Sequence, residues 1–248
     1  MPLSQLPQKI QDYIVNKMSR EYVPSINELH CTELVGCSRK VYLRRTQTAK
    51  PKLGIEQAFY FYRGDLFDQE WTNLFERHQV SVMHRVRDSP FLIRGRLDFI
   101  DDDGVIWEMK TTKNLYYVNQ PKPEHIKQVK FYCYCFAKNR AKIMYVDFGD
   151  VRIFDLTFTD QELISNLNAF EQKALAIYNA LLTGKAPVPD PQYSIAKNGK
   201  LNTWECNFCD VKEACKKIGG PFPWEKPDVV SDAAPSENAT TETDVTIV

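Results

Sequence analysis

Gly95-Arg-Leu-Asp98-Phe-Ile-Asp-Asp-Asp-Gly104-Val-Ile-Trp-Glu108-Met-Lys110 is the stretch on which the reading of this chain turns. Two apolar runs flank an Asp-Asp-Gly, a hairpin signal because glycine tolerates the left-handed conformation a tight loop needs. A three-residue loop of Asp102, Asp103 and Gly104 pairs Asp101 with Val105, Ile100 with Ile106 and Asp98 with Glu108. Opposed residues share a face, and Lys110, two residues past Glu108, joins them there. A four-residue loop would instead set Asp98 against Trp107. Two like charges directly opposed on a sheet are unfavourable unless something compensates them. A divalent cation held between the carboxylates would do so, and hard oxygen donors suit Mg²⁺ or Mn²⁺. The neighbouring lysine could then orient a metal-bound water and stabilise charge on a phosphate. Taken alone, Asp-x₉-Glu-x-Lys is a loose pattern that also describes a solvated hairpin face.

Working outward, residues 80–112 alternate with the period of strands. A helix is expected over about 123–139, with Gln128 and Tyr132 four apart on one face. Two strands follow near 141–148 and 151–157. Thr159-Asp-Gln-Glu162 is a capping box opening a helix to about Thr183, and Pro187, Pro189 and Pro191 end regular structure. Upstream, a helix runs from about Gln5 to Arg20, and Ser25-Ile-Asn-Glu28 reads as a capping box starting a second one. Gly36 stops that helix, and a long aromatic helix covers about Ile55 to His78. Helices and strands interleave in this way in a mixed α/β fold.

Seven cysteines, an odd number, in a chain without an export signal argue for metal, cluster or plain burial rather than disulfides. Cys206-x₂-Cys209-x₅-Cys215 places three thiols within ten residues, and a fourth would close a tetrahedral or cubane site. Cys37 and Cys31 compete for that fourth place, and a Cys₄ zinc site is the alternative to an iron–sulfur cluster. Cys133 and Cys135 alternate across a helix and read as buried thiols.

The chain has 248 residues, 43% hydrophobic and 26% charged, and no apolar run approaches a membrane span. The N-terminus lacks the basic start and apolar run of a secretory signal, so a cytoplasmic protein is expected. Thirty-two bases balance 32 acids, which at first argues against nucleic acid. The last 22 residues, 227–248, carry five acids and no base and read as a disordered tail, leaving residues 1–226 with 32 bases, 27 acids and a net charge of +5. Arg39, Lys40, Arg44, Arg45, Lys50 and Lys52 form a basic run without acids, followed by Phe59, Tyr60, Phe61 and Tyr62. Bases beside aromatics suit single-stranded nucleic acid.

Residues 25–217 resemble the CRISPR-associated RecB-like iron–sulfur exonucleases of the PD-(D/E)XK nuclease superfamily. Asp98 with Glu108-x-Lys110 is similar to the superfamily's core motif, and Gln128-Val-Lys-Phe-Tyr132 to the Q-x-x-x-Y motif of the RecB-like branch. Cys37-Ser-Arg-Lys-Val-Tyr-Leu resembles the segment that supplies the distant cluster cysteine. The resemblance implies a mixed central sheet flanked by helices, with an iron–sulfur subdomain built from segments 31–45 and 204–217. It implies a [4Fe–4S] cluster on Cys37, Cys206, Cys209 and Cys215. It further implies a Mg²⁺- or Mn²⁺-dependent deoxyribonuclease acting on single-stranded DNA ends, with CRISPR integrase proteins as partners. Asp98 and Glu108, with Asp68 and the Met109 carbonyl, would hold the ion. Lys110 would assist the attacking water, and Gln128 and Tyr132 would position the strand or brace the site. Asp68 stands where the family carries a histidine in G-x-x-x-H, which puts ligand geometry in question. Two readings compete: a DNA-binding or partner-binding module that has lost cleavage, and a structural zinc protein.

Overall fold

The computed structural model describes residues 3–19, 25–46, 53–87, 89–192, 194–195, 201–202, 204–207 and 209–219. The acidic tail at 227–248, Lys50 and Lys52 lie outside them. In chain order the main elements are α1 (Gln8–Met18), β1 (Glu28–His30), α2 (Cys31–Leu34), α3 (Ser38–Thr46) and α4 (Ile55–Thr72). Then come β2 (Arg77–Arg85), β3 (Leu92–Ile100), β4 (Ile106–Thr111), α5 (Pro123–Cys135), β5 (Arg140–Val146), β6 (Val151–Thr157) and α6 (Asp160–Thr183). A short β7/β8 pair (Ser194–Ile195, Leu201–Asn202) precedes α7 (Trp204–Asn207) and α8 (Lys212–Ile218).

Six strands form one mixed sheet in the order β1-β3-β4-β5-β6, with β2 beside β3. β4 and β5 run parallel, joined through α5, while β2/β3, β3/β4 and β5/β6 are antiparallel. Alternation along β5 sorts the two faces. Ile143 and Tyr145 enter the main core with Val129, Phe131 and Tyr132 of α5 and Leu167, Phe170 and Ile177 of α6. Met144 and Val146 pack with Met109 against Phe67 and Trp71 of α4. The sheet is thus flanked by helices on both faces, as the α/β reading expected.

β3 is the pivot. β2 occupies one of its edges along its whole length. The other edge is shared, β1 lying parallel beside Leu92–Arg94 and β4 antiparallel beside Phe99 and Ile100. Residues 95–98 lie between these two partners, and the candidate site is built there.

Three boundaries differ from the sequence reading. Ser25-Ile-Asn-Glu28 starts no helix. The Ser25 hydroxyl accepts from the Asn27 N–H (3.3 Å), and the chain enters β1, where Leu29 is fully buried beside β3. The helix begins at Cys31 instead, capped by His30, whose N–H is accepted by Glu33 at 2.8 Å. The aromatic helix stops at Thr72 rather than His78, because residues from Arg77 onward pair with β3. α5 stops at Cys135, where Ala137 turns left-handed (φ 50°) and the Lys138 N–H returns to the Cys133 carbonyl. The Thr159 box is present as read, and α6 ends on Gly184 in the left-handed conformation.

Candidate active site

The hairpin has the three-residue loop. Gly104 is left-handed (φ 74°), the Gly104 N–H bonds to the Asp101 carbonyl, and the Asp101 N–H bonds to the Val105 carbonyl. Ile100 opposes Ile106 and Phe99 opposes Trp107, so the register continues to Asp98 against Glu108. The backbone ladder ends at Phe99. Beyond it the Asp98 carboxylate accepts the Met109 N–H at 2.5 Å, replacing a main-chain acceptor.

Glu108 is 1% exposed. Its Oε1 accepts from Lys110 Nζ and, at 2.8 Å, from Gln128 Nε2, while its buried Oε2 has no partner among the described residues. Gln128 spends its other amide hydrogen on the Tyr132 hydroxyl (2.8 Å), which donates to the Arg96 carbonyl (2.9 Å). That carbonyl belongs to the stretch of β3 between its two edge partners, so Tyr132 satisfies a main-chain acceptor there. The Cys31 thiol donates to the same hydroxyl (3.4 Å). The helical spacing of Gln128 and Tyr132 therefore builds a brace running from Glu108 to β3.

Burial, then the Glu108 charge, push the Asp98 carboxyl well above its usual range. Burial also raises Glu108, against the opposing pull of Lys110. Burial on its own would lower Lys110, but Glu108 and Asp98 outweigh it and the ammonium keeps its proton. With both carboxyls ionised, one ammonium would leave one negative charge in excess, and the raised carboxyls show how far this partly dehydrated centre resists that state. An unpartnered buried oxygen beside a second carboxyl fits a hard cation.

A cavity of about 440 Å³ opens on this centre, lined by Asp98, Met109, Lys110, Thr111, Asp68 and Asp65, with Tyr60 and Phe61 of α4 at its wall. Asp68 lines the same cavity, and its charge is felt by Asp98 and Glu108. Its Oδ1, however, accepts from Gln79 Nε2 at 2.7 Å, and burial raises its carboxyl, with Arg96 opposing. Met109 contributes its backbone N–H to Asp98. Among the described residues no three His, Cys, Asp or Glu side chains are grouped to hold a metal ion unaided. Asp98 and Glu108 would supply two carboxylates, and main-chain or water oxygens would have to complete the coordination.

The cysteine segments also meet. Glu205 accepts the Cys37 N–H at 2.9 Å, and Cys209 and Cys215 pack with Tyr42, Leu43 and Val211. Burial, then the charge of Cys209, raises the Cys206 thiol, and burial lifts Cys37 to about 11. Soft thiols gathered from both ends of the chain have donor chemistry suited to iron–sulfur or zinc. As they stand, they are not grouped as a closed metal site. Cys31 has left that set for Tyr132. Burial pushes both Cys133 and Cys135 up to about 12, as inert thiols.

The four described bases of the run are engaged within the protein, although Arg44 is exposed. Arg39 is buried, donating to the Pro187 and Gly219 carbonyls at 2.7 Å. Arg44 holds Asp210, Arg45 holds Glu33, and Lys40 lies 3.8 Å from Glu205. Sequence reasoning missed the parts played by Gly95, Arg96 and Gln79, and weighed Cys31 only as a cluster ligand. A glycine three residues before Asp98 was the one available signal.

A mixed sheet whose central hairpin brings Asp98, Glu108 and Lys110 together, braced by Gln128 and Tyr132 of α5, defines an α/β protein with a carboxylate–lysine centre opening on a cavity. The chain belongs to the PD-(D/E)XK nuclease superfamily, whose family description matches residues 29–216. Among solved structures it is similar to that of SSO0001, with a TM-score of 0.60 and 18% identity over 86% of this chain and 98% of that one. It is also similar to an alkaline exonuclease (LHK-Exo) from Laribacter hongkongensis, with a TM-score of 0.40 and 13% identity over 71% and 98%. A third is a phage-related exonuclease from Haemophilus somnus 129PT, with a TM-score of 0.37 and 12% identity over 63% and 96%. The first is a likeness of fold. No curated protein matches the chain.

Proposed function

We propose that this chain is a Mg²⁺- or Mn²⁺-dependent deoxyribonuclease that degrades single-stranded DNA from an end. The observation that carries the reading is the Asp98–Glu108–Lys110 centre, with its unpartnered Glu108 oxygen and two neighbouring carboxyls, opening on a cavity. Asp98 and Glu108 would hold the ion, and Asp68 and the Met109 carbonyl would be its further donors. The ion, when bound, polarises the phosphate and lowers the pKa of a water. Lys110, anchored on Glu108 and protonated, serves as a cation that orients the attacking oxygen and stabilises charge on the phosphate, not as a base. Gln128 fixes the Glu108 carboxylate, and Tyr132 fixes Gln128.

The meeting of Cys37 with the Cys206–Cys215 segment supports a [4Fe–4S] cluster that staples the two ends of a domain spanning 1–226. The resemblance adds a setting, spacer processing beside CRISPR integrase proteins. The hold of Gln79 on Asp68 favours one rival, a nucleic-acid-binding module that no longer cleaves.

The test is digestion of end-labelled single-stranded DNA by anaerobically purified full chain, with Mg²⁺, Mn²⁺ or EDTA. Metal-dependent release of nucleotides is expected, with Lys110→Ala and Asp98→Ala each slowed by about a hundredfold or more. Full cleavage by either variant overturns the assignment. Binding without cleavage establishes the rival. Iron and sulfide in the protein support the cluster, and zinc alone removes it.

A further inference from the structure

Six residues after Lys110, two tyrosines stand out of the surface. Tyr116 is 77% exposed and Tyr117 78%, their rings 5.2 Å apart and at right angles. The backbone that carries them is held. The Arg63 guanidinium donates to the Thr112 carbonyl (2.9 Å), the Asp147 carboxylate accepts the Leu115 N–H (3.0 Å), and Asn114 accepts the Tyr116 N–H (2.8 Å). Asp147 also takes the Gly149 and Asp150 N–H groups, which ties this segment to the β5–β6 turn. That turn presents Phe148, 72% exposed, with Arg63 5.1 Å from its ring. Between this group and the cavity lies Lys113, whose Nζ sits 4.7 Å above the ring of Tyr60, a residue of the cavity wall. Among the described residues Lys113 has no carboxylate partner.

Large rings at such exposure lower solubility, and holding them on a braced backbone serves no packing purpose. The spacing gives direction. Tyr116 is at most about 21 Å of chain from Lys110. Rings that offer faces at sequence-independent positions, interleaved with an unpaired cation, match alternating bases and phosphates. An apolar protein surface would leave Lys113 unmatched.

We infer that Tyr116, Tyr117 and Phe148, with Lys113 between them and the Tyr60–Phe61 cavity wall, form a stacking platform for the bases of a single strand whose phosphate enters the Asp98–Lys110 cavity. This deepens the proposed function and rests on the cavity taking DNA. The rings take unpaired bases, and Lys113 takes the phosphate between platform and cavity. A duplex hides its base faces and does not fit.

The experiment measures binding without cleavage, by fluorescence anisotropy of the full chain in EDTA. The probes are labelled oligothymidylate and an abasic strand of equal length. The protein is expected to bind oligothymidylate at least tenfold more tightly. The double substitution Tyr116→Ala, Tyr117→Ala should weaken oligothymidylate binding roughly ten- to hundredfold and leave the abasic strand unchanged. Tyr116→Phe with Tyr117→Phe should restore it, since the ring and not the hydroxyl stacks. Equal binding of both strands by the wild type overturns the inference. So does an alanine variant that loses neither or both, or one that changes only the oligomeric state. Chain that discriminates bases yet never cleaves sustains the platform and removes the nuclease reading. Chain that cleaves without discriminating does the reverse.

Discussion

A methyl group at Gly95 would stand 2.5 Å from Tyr132 Cε1, 3.1 Å from Phe131 Cε1 and 3.2 Å from the Cys31 sulfur. None of these is a flexible tip, for Tyr132 and Phe131 are fully buried rings of α5. Gly95→Ala must therefore push α5 away from β3, at about 1–3 kcal/mol in urea unfolding. Because Tyr132 carries Gln128 and Gln128 carries Glu108, the same variant should cut the cleavage rate without touching a ligand. An alanine variant as stable and active as the wild type would remove the brace from the argument. His125 marks a second point on α5. Its Nδ1 meets the Tyr145 hydroxyl at 2.7 Å, and burial, then the charges of Lys110 and Lys122, lower it to about 3. A histidine held neutral binds fewer protons folded than unfolded between about pH 3 and its ordinary value. Stability is therefore complete above about 6.5 and falls as pH drops below it, by up to about 1.4 kcal/mol per unit. His125→Gln should flatten that slope. Urea midpoints measured on both sides of pH 6.5 decide the matter, and an equally steep loss in the variant points to other groups.

At the scale of elements, α3 changed meaning most. Its bases read as a face for nucleic acid, yet the Arg45 side chain is 4% exposed and bonded to both Glu33 oxygens and the Ser25 carbonyl. Arg45→Ala should cost about 2–3 kcal/mol, below a fully buried pair because Glu33 keeps some solvent. It should leave the salt dependence of DNA binding unchanged, whereas Lys113→Ala should reduce that slope by about 0.7. Salt titrations that reversed the two would return α3 to the DNA surface. Local signals were legible: the Asp101–Gly104 turn set the hairpin register, and Thr159 opened α6. Distant ones were not. Arg39 finds its acceptor 148 residues downstream, and Ser25–Glu28 yields to pairing with β3, which no local pattern announces. The site divides in the same way. Asp98, Glu108 and Lys110 follow from strand alternation, and Gln128 and Tyr132 from helical spacing. The part played by Gly95 and the Arg96 carbonyl depends on an edge of β3 shared by two strands from different parts of the chain.

For the molecule as a whole, formal neutrality conceals where charge sits. Residues 1–226 carry a net +5, while the centre of the sheet brings together two carboxyls that burial and mutual repulsion make costly to ionise. A folded protein is stable by only a small margin, so an uncompensated buried charge is a measurable fraction of it. The direction follows from Asp98. Its folded pKa lies above its unfolded value, so the fold favours the protonated carboxyl. That contribution is present at low pH and is lost as pH rises through the folded value. Near neutral pH and without metal, Asp98 therefore weakens the fold. Asp98→Asn keeps a neutral side chain at every pH and can still accept the Met109 N–H. It should melt higher than the wild type in EDTA near neutral pH, and the difference should shrink in acid. With Mn²⁺ the order should reverse. An ion at a hundred times its dissociation constant stabilises the folded state by about 2.7 kcal/mol. For a chain of this size that raises the melting temperature by roughly 5–10 °C. The wild type should show this gain and Asp98→Asn should lose most of it. Equal gains in both proteins would place the ion elsewhere, and a lower melting point for Asp98→Asn in EDTA would mean that the Met109 contact outweighs the repulsion from Glu108.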